Sequence, residues 1–375
     1  MKACLDLVII LLSINILNCS FQSAIFNRMS KDQKGENLII SPLSIFQALS
    51  LTANGAKGKT QSEMLELLQF NNIDDLNKVN YEILSAFKNF STIDIANAVM
   101  TKFTPLKQFT SIAKKYLAPI EPLVSVEQVN KWCSDKTHGK IDKILDELDP
   151  YTRMILLNAV YFKGEWASKF KSTQTKKLKF YNLGKEEKDV DTMVQIKHFK
   201  YYEDKKVQAI ELFFKEDYMS AIIILPAEGT DINKYIDTLS ISNGEYKKII
   251  EGFKTAKVNL QLPKFELEFK EKLNEVLKDL GMYNAFSDVD ADFTGLREEG
   301  QLFINQVIHK TYLKVFEDGC EAAAVTAIDV ATNSLPVPEK IVDMKVNRPF
   351  LFLLKNSKLP AGYDLVFMSK IEKLE

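Results

Sequence analysis

The sequence predicts an α+β fold, with most helices early in the chain and most strands later. Apolar residues recur at the three- and four-residue spacing of a helix in segments 42–51, 62–68, 76–87, 128–136 and 270–280. Strand patterns occupy segments 155–162, 220–225, 258–262, 306–316, 350–354 and 365–368. Because helices and strands do not alternate regularly, a parallel βαβ winding is not expected.

Length and composition fit one large globular domain. The chain has 375 residues, 46% of them hydrophobic and 26% charged, so it can bury a large core without disulfides. Lys and Arg (49) nearly balance Asp and Glu (50), which leaves no overall field to attract nucleic acid or an anionic membrane. No repeat or linker divides the sequence, and we expect a single domain over residues 20–375.

A mostly apolar stretch near the amino terminus predicts a signal peptide. Residues 7–17 follow Lys2 and are too few to span a bilayer. We therefore expect residues 1–19 to be removed and the protein to be secreted, which would leave Cys133 and Cys320 as the remaining cysteines. The alternative is that this segment starts the first helix of a cytoplasmic or vesicular protein.

Common catalytic motifs are absent from the sequence. It contains no GxSxG, HExxH, GxGxxG or CxxC, and its three histidines lack the spacing of one metal site. Gly58-Lys59-Thr60 resembles the end of a phosphate-binding loop, but Ala53 stands where that loop needs its first glycine. We predict no catalytic residue, metal or cofactor.

Segment 317–336 allows two interpretations. Three consecutive alanines, 322–324, favour a helix by propensity. With a period of two, the even positions from Cys320 to Val330 are uncharged, whereas Glu321 and Asp329 fall on the odd face, as in a strand with one buried face. On this window alone, an Ala-rich surface helix or loop is favoured.

A series of motifs in the same order resembles the serpin family from about residue 21 to the carboxyl terminus. They are NLIISPLSI at 37–45, GAKGKT at 55–60, VNKW at 129–132, THGKI at 137–141, LNAVYFKGEW at 157–166, LPKF at 262–265, ADFTGL at 291–296, VIHK at 307–310 and NRPF at 347–350. This order overturns the preference for a surface helix or loop at 317–336.

The resemblance implies a serpin fold, with a large five-stranded sheet A, smaller sheets B and C, about nine α-helices and an exposed reactive centre loop at about 318–340. It also implies a protease inhibitor rather than an enzyme. The cleaved loop would insert into sheet A as a new strand while the protease is held as an acyl-enzyme. Serpin loop insertion is itself a standard example of strand addition and stored strain.

The resemblance also assigns three groups of residues in this sequence. A shutter cluster, beneath the point where sheet A opens, comprises Ser41, Ser44, Asn158 and His309. A breach cluster, where insertion begins, comprises Trp166, Lys264 and Glu317, with an expected ion pair between Lys264 and Glu317. The hinge of the loop comprises Glu317, Asp318, Gly319, Cys320, Glu321, Ala322, Ala323, Ala324, Val325 and Thr326.

The family's usual spacing places the reactive bond at Asn333–Ser334, with Thr332–Asn333 as the alternative. No Arg or Lys lies between Cys320 and Glu339, so the expected target is an elastase- or chymotrypsin-like serine protease, or else an asparagine-specific cysteine protease. Cys320 stands where Ser or Thr is usual, and Asp318 where Glu is usual. We hypothesise that oxidation of Cys320 would block insertion.

Other functions and partners follow from the same resemblance. The alternative function is a non-inhibitory serpin that carries a ligand, acts as a chaperone or serves as a storage protein. We expect a monomer that binds neither nucleic acid nor membrane. Heparin activation is not expected, because the sequence has no dense basic helix of the kind that heparin-activated serpins use.

Overall fold

The computed structural model describes residues 20–87, 93–239, 244–298, 302–320 and 339–375. The α-helices in these residues are α1 (Phe21–Asp32), α2 (Pro42–Ala53), α3 (Gly58–Leu68), α4 (Ile73–Phe87), α5 (Lys107–Lys115), α6 (Val126–Lys136), α7 (Ile232–Thr238), α8 (Glu245–Gly252) and α9 (Asn274–Asp279). The first strands are β1 (Leu38–Ile40), β2 (Ile93–Thr101), β3 (Ile120–Pro122), β4 (Met154–Phe162), β5 (Gly164–Glu165), β6 (Lys176–Asn182), β7 (Glu186–Glu203) and β8 (Val207–Phe213). The others are β9 (Met219–Pro226), β10 (Lys254–Pro263), β11 (Phe265–Lys272), β12 (Gln306–Phe316), β13 (Gly319–Cys320), β14 (Ile341–Lys345), β15 (Phe350–Asn356) and β16 (Leu365–Ile371).

Sheet A consists of β3, β2, β4, β12 and β11 in that order, with the short strands β5 and β13 at one end. β2 is antiparallel to β4, and β11 is antiparallel to β12. In the middle of the sheet, β4 and β12 are parallel and pair directly, from Ile155 opposite Gln306 to Tyr161 opposite Tyr312. We call this β4–β12 boundary the seam.

The other strands form one nine-stranded network, in the order β1-β16-β15-β9-β8-β7-β10-β14, with β6 paired to β7. The resemblance implied two separate smaller sheets here. They are joined because the 18-residue strand β7 is long enough to pair with β6 and β10 over residues 186–201 and with β8 over residues 200–203. The predicted α+β class is confirmed.

Helix α2 lies between the two sheets, where it packs against β16, β4 and β2. Its sequence starts the helix sharply, because Pro42 occupies the first turn and the Ser41 hydroxyl accepts a hydrogen bond from the Ser44 backbone N–H. All twelve of its residues are buried. On the opposite face of β4, Leu157 belongs to a second apolar cluster that also contains Val129 and Cys133 of α6. Burial on both faces explains the continuous apolar run of β4.

Most predicted elements have counterparts in the structure, and segment 306–316 coincides with β12. The helix predicted over 270–280 is wrong at its start, because residues to Lys272 belong to β11 and the helix begins at Asn274. Pairing of β11 with β12 as far as Lys272 and Ile308 outweighs the local helical spacing. The strands that were not predicted are β1, β2, β3, β5, β6, β7, β8, β11 and β14, and the helices that were not predicted are α1, α5, α7 and α8.

No described helix has the length and apolar character needed to cross a membrane. Within the same residues, no group of three His, Cys, Asp or Glu side chains could hold a metal ion.

Candidate functional site

A short additional strand already occupies one end of the seam. After Phe316 the chain turns at Glu317 and Asp318, and Gly319–Cys320 returns as β13. This strand pairs antiparallel with Val315 and Phe316 of β12 on one side and with β5 on the other. At this end of the seam, β13 therefore lies between β12 and β5, the short strand that follows β4. Further along the seam, β4 and β12 pair directly.

The pairing of β13 with β5 requires glycine at position 319. Gly319 has a φ of 149°, and a Cβ atom there would lie 2.0 Å from the Gly164 carbonyl oxygen and 2.7 Å from the Glu165 Cα. Both of these atoms belong to the backbone and cannot move aside as a flexible side chain would. A side chain at position 319 would therefore force the two strands apart.

Cys320 is fully buried in the main core. Burial raises the pKa of its thiol, which disfavours the reactive thiolate. The hypothesis of redox sensitivity assumed a thiol in a mobile loop, but the structure places this thiol within sheet A. An oxidant would reach it only after β13 had left the sheet.

Trp166, just after β5, holds the turn between β12 and β13. The ring is 1% exposed and stacks on Phe214 at a centroid distance of 4.4 Å. The indole Nε1 donates to the Phe316 carbonyl oxygen at 3.0 Å, and the backbone N–H donates to the Asp318 carbonyl oxygen at 2.9 Å. One residue thus fixes both the end of β12 and the start of β13.

The Glu317 carboxylate joins the turn to its surroundings. The Lys264 Nζ lies 3.0 Å from Glu317 Oε2, and the Thr175 hydroxyl donates to Oε1 at 2.6 Å. Burial alone would raise the pKa of Glu317, but the hydrogen bonds, led by that from Thr175, hold it below its ordinary value. Glu317 is therefore ionised at neutral pH.

Lys169 forms a second ionic connection at the same turn, which sequence reasoning missed. Its Nζ lies 2.9 Å from Asp318 Oδ1 and 3.2 Å from Glu165 Oε2. It therefore links β5 to the residue preceding β13. Glu165 and Lys169 are four residues apart, but nothing local in the sequence indicates that Asp318 completes the group. Thr175 and Phe214 were also missed, because their partners, Glu317 and Trp166, are distant in the sequence.

The shutter cluster lies along the directly paired part of the seam. The Asn158 Oδ1 accepts hydrogen bonds from the Ser44 hydroxyl at 2.8 Å and from the His309 Nδ1 at 2.5 Å. The Ser41 backbone N–H donates to the His309 Nε2 at 3.1 Å. Because Nε2 accepts this bond, the imidazole proton is on Nδ1. The four predicted residues thus meet in one network on α2, β4 and β12.

His309 is neutral in this network. Its side chain is fully buried, and this burial lowers its pKa to about 3. Asn158 also donates through Nδ2 to Asn97 Oδ1 at 2.6 Å, which extends the network to β2. The shutter cluster therefore contains hydrogen-bonding groups but no formal charge.

The structure describes only the two ends of the predicted loop, residues 318–320 and 339–340. Glu317, Asp318, Gly319 and Cys320 lie at the breach cluster as described above. The hinge residues Glu321, Ala322, Ala323, Ala324, Val325 and Thr326 and the predicted reactive bond Asn333–Ser334 lie outside the described residues.

The fold and this site define an α+β protein whose sheet A accepts the first residues of an additional strand from its own chain. The chain belongs to the serpin family: residues 17–373 match the family described as Serpin (serine protease inhibitor). Members of this family are protease inhibitors and are generally not enzymes.

Individual relatives cover nearly the whole chain. It is 34% identical to Iripin-2 of Ixodes ricinus, covering 90% of this chain and 88% of that protein. It is 33% identical to the leukocyte elastase inhibitor of Xenopus laevis, covering 89% and 93% of the two chains. The solved structure of tengpin, a thermophilic serpin in the native state, gives a TM-score of 0.84 at 32% identity, covering 95% of this chain and 93% of tengpin.

Proposed function

We propose that this protein is a single-use protease inhibitor that traps its target as a covalent acyl-enzyme by inserting its cleaved loop into sheet A. The observation that carries the proposal is β13, which already pairs between β12 and β5 at the end of the seam. Insertion would extend this strand between β4 and β12. The membership in a family of protease inhibitors and the likeness to a leukocyte elastase inhibitor support the same function.

The proposed insertion is large enough to deform a protease. At ~3.3 Å per residue, the 14 residues from Gly319 to Asn333 would carry the tethered enzyme roughly 46 Å. At ~1 kcal/mol for each net hydrogen bond, about a dozen new bonds release on the order of 10 kcal/mol. This free energy is comparable to the stability of a whole domain.

The burial of Cys320 sets the expected orientation of the inserted strand. Because side chains alternate between the faces of a strand, Ala322, Ala324 and Thr326 would follow Cys320 into the main core. Ala323 would face the other side. Neighbouring hinge side chains would therefore face opposite sides of sheet A after insertion. Substitutions at two such positions can test whether the loop inserts in this orientation.

We further propose Asn333–Ser334 as the reactive bond and an elastase- or chymotrypsin-like serine protease as the target. The alternative target remains an asparagine-specific cysteine protease. The protein would be incubated with a panel of these enzymes and run on a denaturing gel. We expect a covalent complex and a released carboxyl-terminal fragment whose mass identifies the cleaved bond.

Two matched variants test the mechanism. Ala322→Arg would place a charge on the face that enters the core, so we expect cleavage without a stable complex. Glu321→Arg places the same side chain on the opposite face, at a position that already carries a charge, and should still trap the protease. Cleavage of the unaltered protein without any complex would reject the inhibitory proposal and favour a non-inhibitory serpin.

We also propose that residues 1–19 are a signal peptide, that residues 20–375 form one domain and that the mature protein is secreted as a monomer. Residues 1–19 lie outside the described residues, and Ser20 caps α1 by accepting a hydrogen bond from the Ser23 backbone N–H at 3.3 Å. Expression in a secreting eukaryotic cell, followed by amino-terminal sequencing of the medium, should give a chain that starts near Ser20. Retention of the intact chain inside the cell would contradict secretion.

A further inference from the structure

A cavity lies at one edge of the nine-stranded network, beside the ends of β6 and β9 and the start of β15. It has a volume of about 640 Å³, and its walls include residues 34–35 after α1, the β6–β7 turn at 183–185, residues 226–233 and residues 347–349. Cavities of about 300–1,000 Å³ hold small organic ligands. None of the residues of the breach and shutter clusters lines this cavity. We call it the Arg348 cavity.

Arg348 gives the cavity a positive charge without a counter-ion. Its side chain is half-buried, its Nε donates to the Pro226 carbonyl oxygen at 2.9 Å, and its Nη1 donates to Asn347 Oδ1 at 3.2 Å. A guanidinium has five N–H groups, so three of them make no hydrogen bond within the described part of the chain. A partly desolvated charge is stabilised when an anion supplies hydrogen bonds in place of water.

The acidic side chains around the cavity do not supply this anion. The Glu372 carboxylate pairs with Lys370 at 2.6 Å, and the Asp231 carboxylate caps α7. Glu228 is exposed and forms no ion pair with Arg348. Its more distant charge only partly offsets burial, which lowers the pKa of Arg348. The guanidinium therefore remains available to a bound anion.

The β6–β7 turn adds an exposed apolar wall to the same cavity. Tyr181 is 36% exposed and Leu183 is 40% exposed. The turn is fixed, because the backbone N–H of Tyr181 donates to the Asn347 carbonyl oxygen and that of Leu183 to the Glu372 carbonyl oxygen, both at 2.8 Å. Leu183 has a φ of 54°, a conformation that is uncommon for residues other than glycine. The chain thus holds a leucine in a strained conformation where much of its surface still faces water.

We propose that the Arg348 cavity binds a small organic monocarboxylate with an aromatic or aliphatic body. The carboxylate would accept two parallel hydrogen bonds from the free N–H groups of Arg348. The body would cover Tyr181 and Leu183 and remove their apolar surface from water. The lysines of the cavity, Lys34 and Lys185, are exposed, so water solvates their charges without a ligand. The proposal concerns binding alone and does not depend on protease inhibition.

Calorimetric titration of the full chain, without protease, tests the proposal with three probes. The first is 2-naphthaleneacetate, which combines a carboxylate with an aromatic body. The second, 2-naphthaleneethanol, has the same body without the charge, and the third, acetate, has the charge without the body. We expect saturable 1:1 binding of 2-naphthaleneacetate, and binding of the other two that is about tenfold weaker or more, because each lacks one of the two contacts. Absence of 1:1 binding of 2-naphthaleneacetate, or equal binding of the alcohol, overturns the proposal.

Two leucine variants locate the bound probe. Leu183→Gly removes the apolar wall and should weaken binding of 2-naphthaleneacetate about three- to tenfold. Leu117→Gly is the matched control, because Leu117 is also exposed and has a φ of 55° but does not line the cavity. Both variants replace an exposed leucine at positive φ, so their melting temperatures should change similarly. Equal effects of the two variants on binding would overturn the assignment to this cavity.

An arginine variant tests the anionic contact. Arg348→Met should weaken binding of 2-naphthaleneacetate about tenfold or more, because the paired hydrogen bonds to the carboxylate are lost. Binding of 2-naphthaleneethanol should change much less. A folding defect would weaken both probes together, so the difference between them reports the guanidinium itself. Arg297→Met is the control, because Arg297 is exposed and lies outside the cavity. Equal losses for the acid and the alcohol in Arg348→Met would overturn the role of Arg348.

Discussion

The breach and shutter clusters hold the same sheet in chemically different ways. At the breach cluster, the Lys264–Glu317 ion pair is partly exposed, and β13 already separates the neighbouring strands. At the shutter cluster, β4 and β12 pair directly, and the buried side chains Asn158 and His309 carry no charge. Charge is thus used where water can solvate a separated pair, and neutral hydrogen bonds are used where it cannot.

The physical reason lies in the cost of opening each region. Separating an ion pair near solvent costs little, because water solvates both partners. Leaving a buried charge without its partner costs several kcal/mol. A neutral group such as the Asn158 amide has several donor and acceptor sites and can exchange partners without leaving a charge unpaired. Strand entry would therefore begin among charges and continue past neutral groups.

The largest expected effect comes from breaking the backbone contact at the breach cluster. Gly319→Ala should prevent β13 from pairing with β5, because the new Cβ would meet the Gly164 carbonyl. Backbone strain of about 1–3 kcal/mol should lower the fraction of trapped protease roughly fivefold or more, with a matching rise in cleaved inhibitor. Gly362→Ala is the control, because Gly362 has a φ of 85° with nothing within 4 Å of the added Cβ. Similar trapping by both variants would show that the close approach is unimportant.

Because His309 is neutral, we predict that the shutter cluster makes the free energy of unfolding depend on pH. The pKa of His309 is about 3 when folded, against an ordinary value of about 6.5 when unfolded. Its contribution to stability is complete above about pH 6.5 and is lost as pH falls toward 3, because the unfolded chain binds the proton first. This linkage should lower the free energy of unfolding by about 2 kcal/mol between pH 7 and pH 5.

Denaturant unfolding at several pH values would measure this loss. His309→Gln keeps a donor and an acceptor but cannot take up a proton, so its stability should change less between pH 7 and pH 5. His198→Gln, which removes an exposed histidine, should retain the dependence of the unaltered protein. If the free energy of unfolding of His309→Gln fell as much between pH 7 and pH 5 as that of the unaltered protein, groups other than His309 would cause the loss of stability in acid.

The sequence predicted those parts of the molecule that depend on local pattern or family motif. The apolar runs of β4 and β12 were evident because both strands are buried on two faces. β6 and the start of β7 were missed, because these exposed strands are rich in Lys and Glu and lack an apolar pattern. Lys169 and Thr175 acquire their roles only when the fold brings distant segments together.

The smallest expected effect comes from removing the charged pair at the breach cluster. Lys264→Met should lower the free energy of unfolding by no more than about 1 kcal/mol, because Lys264 is 34% exposed and water can solvate the separated charges. Lys314→Met is the matched control within sheet A: its partner, Glu266, is 52% exposed, whereas Glu317 is 13% exposed. Because the more buried Glu317 loses more when its partner is removed, Lys264→Met should lower the free energy of unfolding more than Lys314→Met does, as measured by denaturant unfolding.

The difference between the two losses should narrow at 1 M salt, where exposed charges are screened. A loss of several kcal/mol that salt leaves unchanged would mean that the breach pair behaves as a buried one, and the contrast with the shutter cluster would fail.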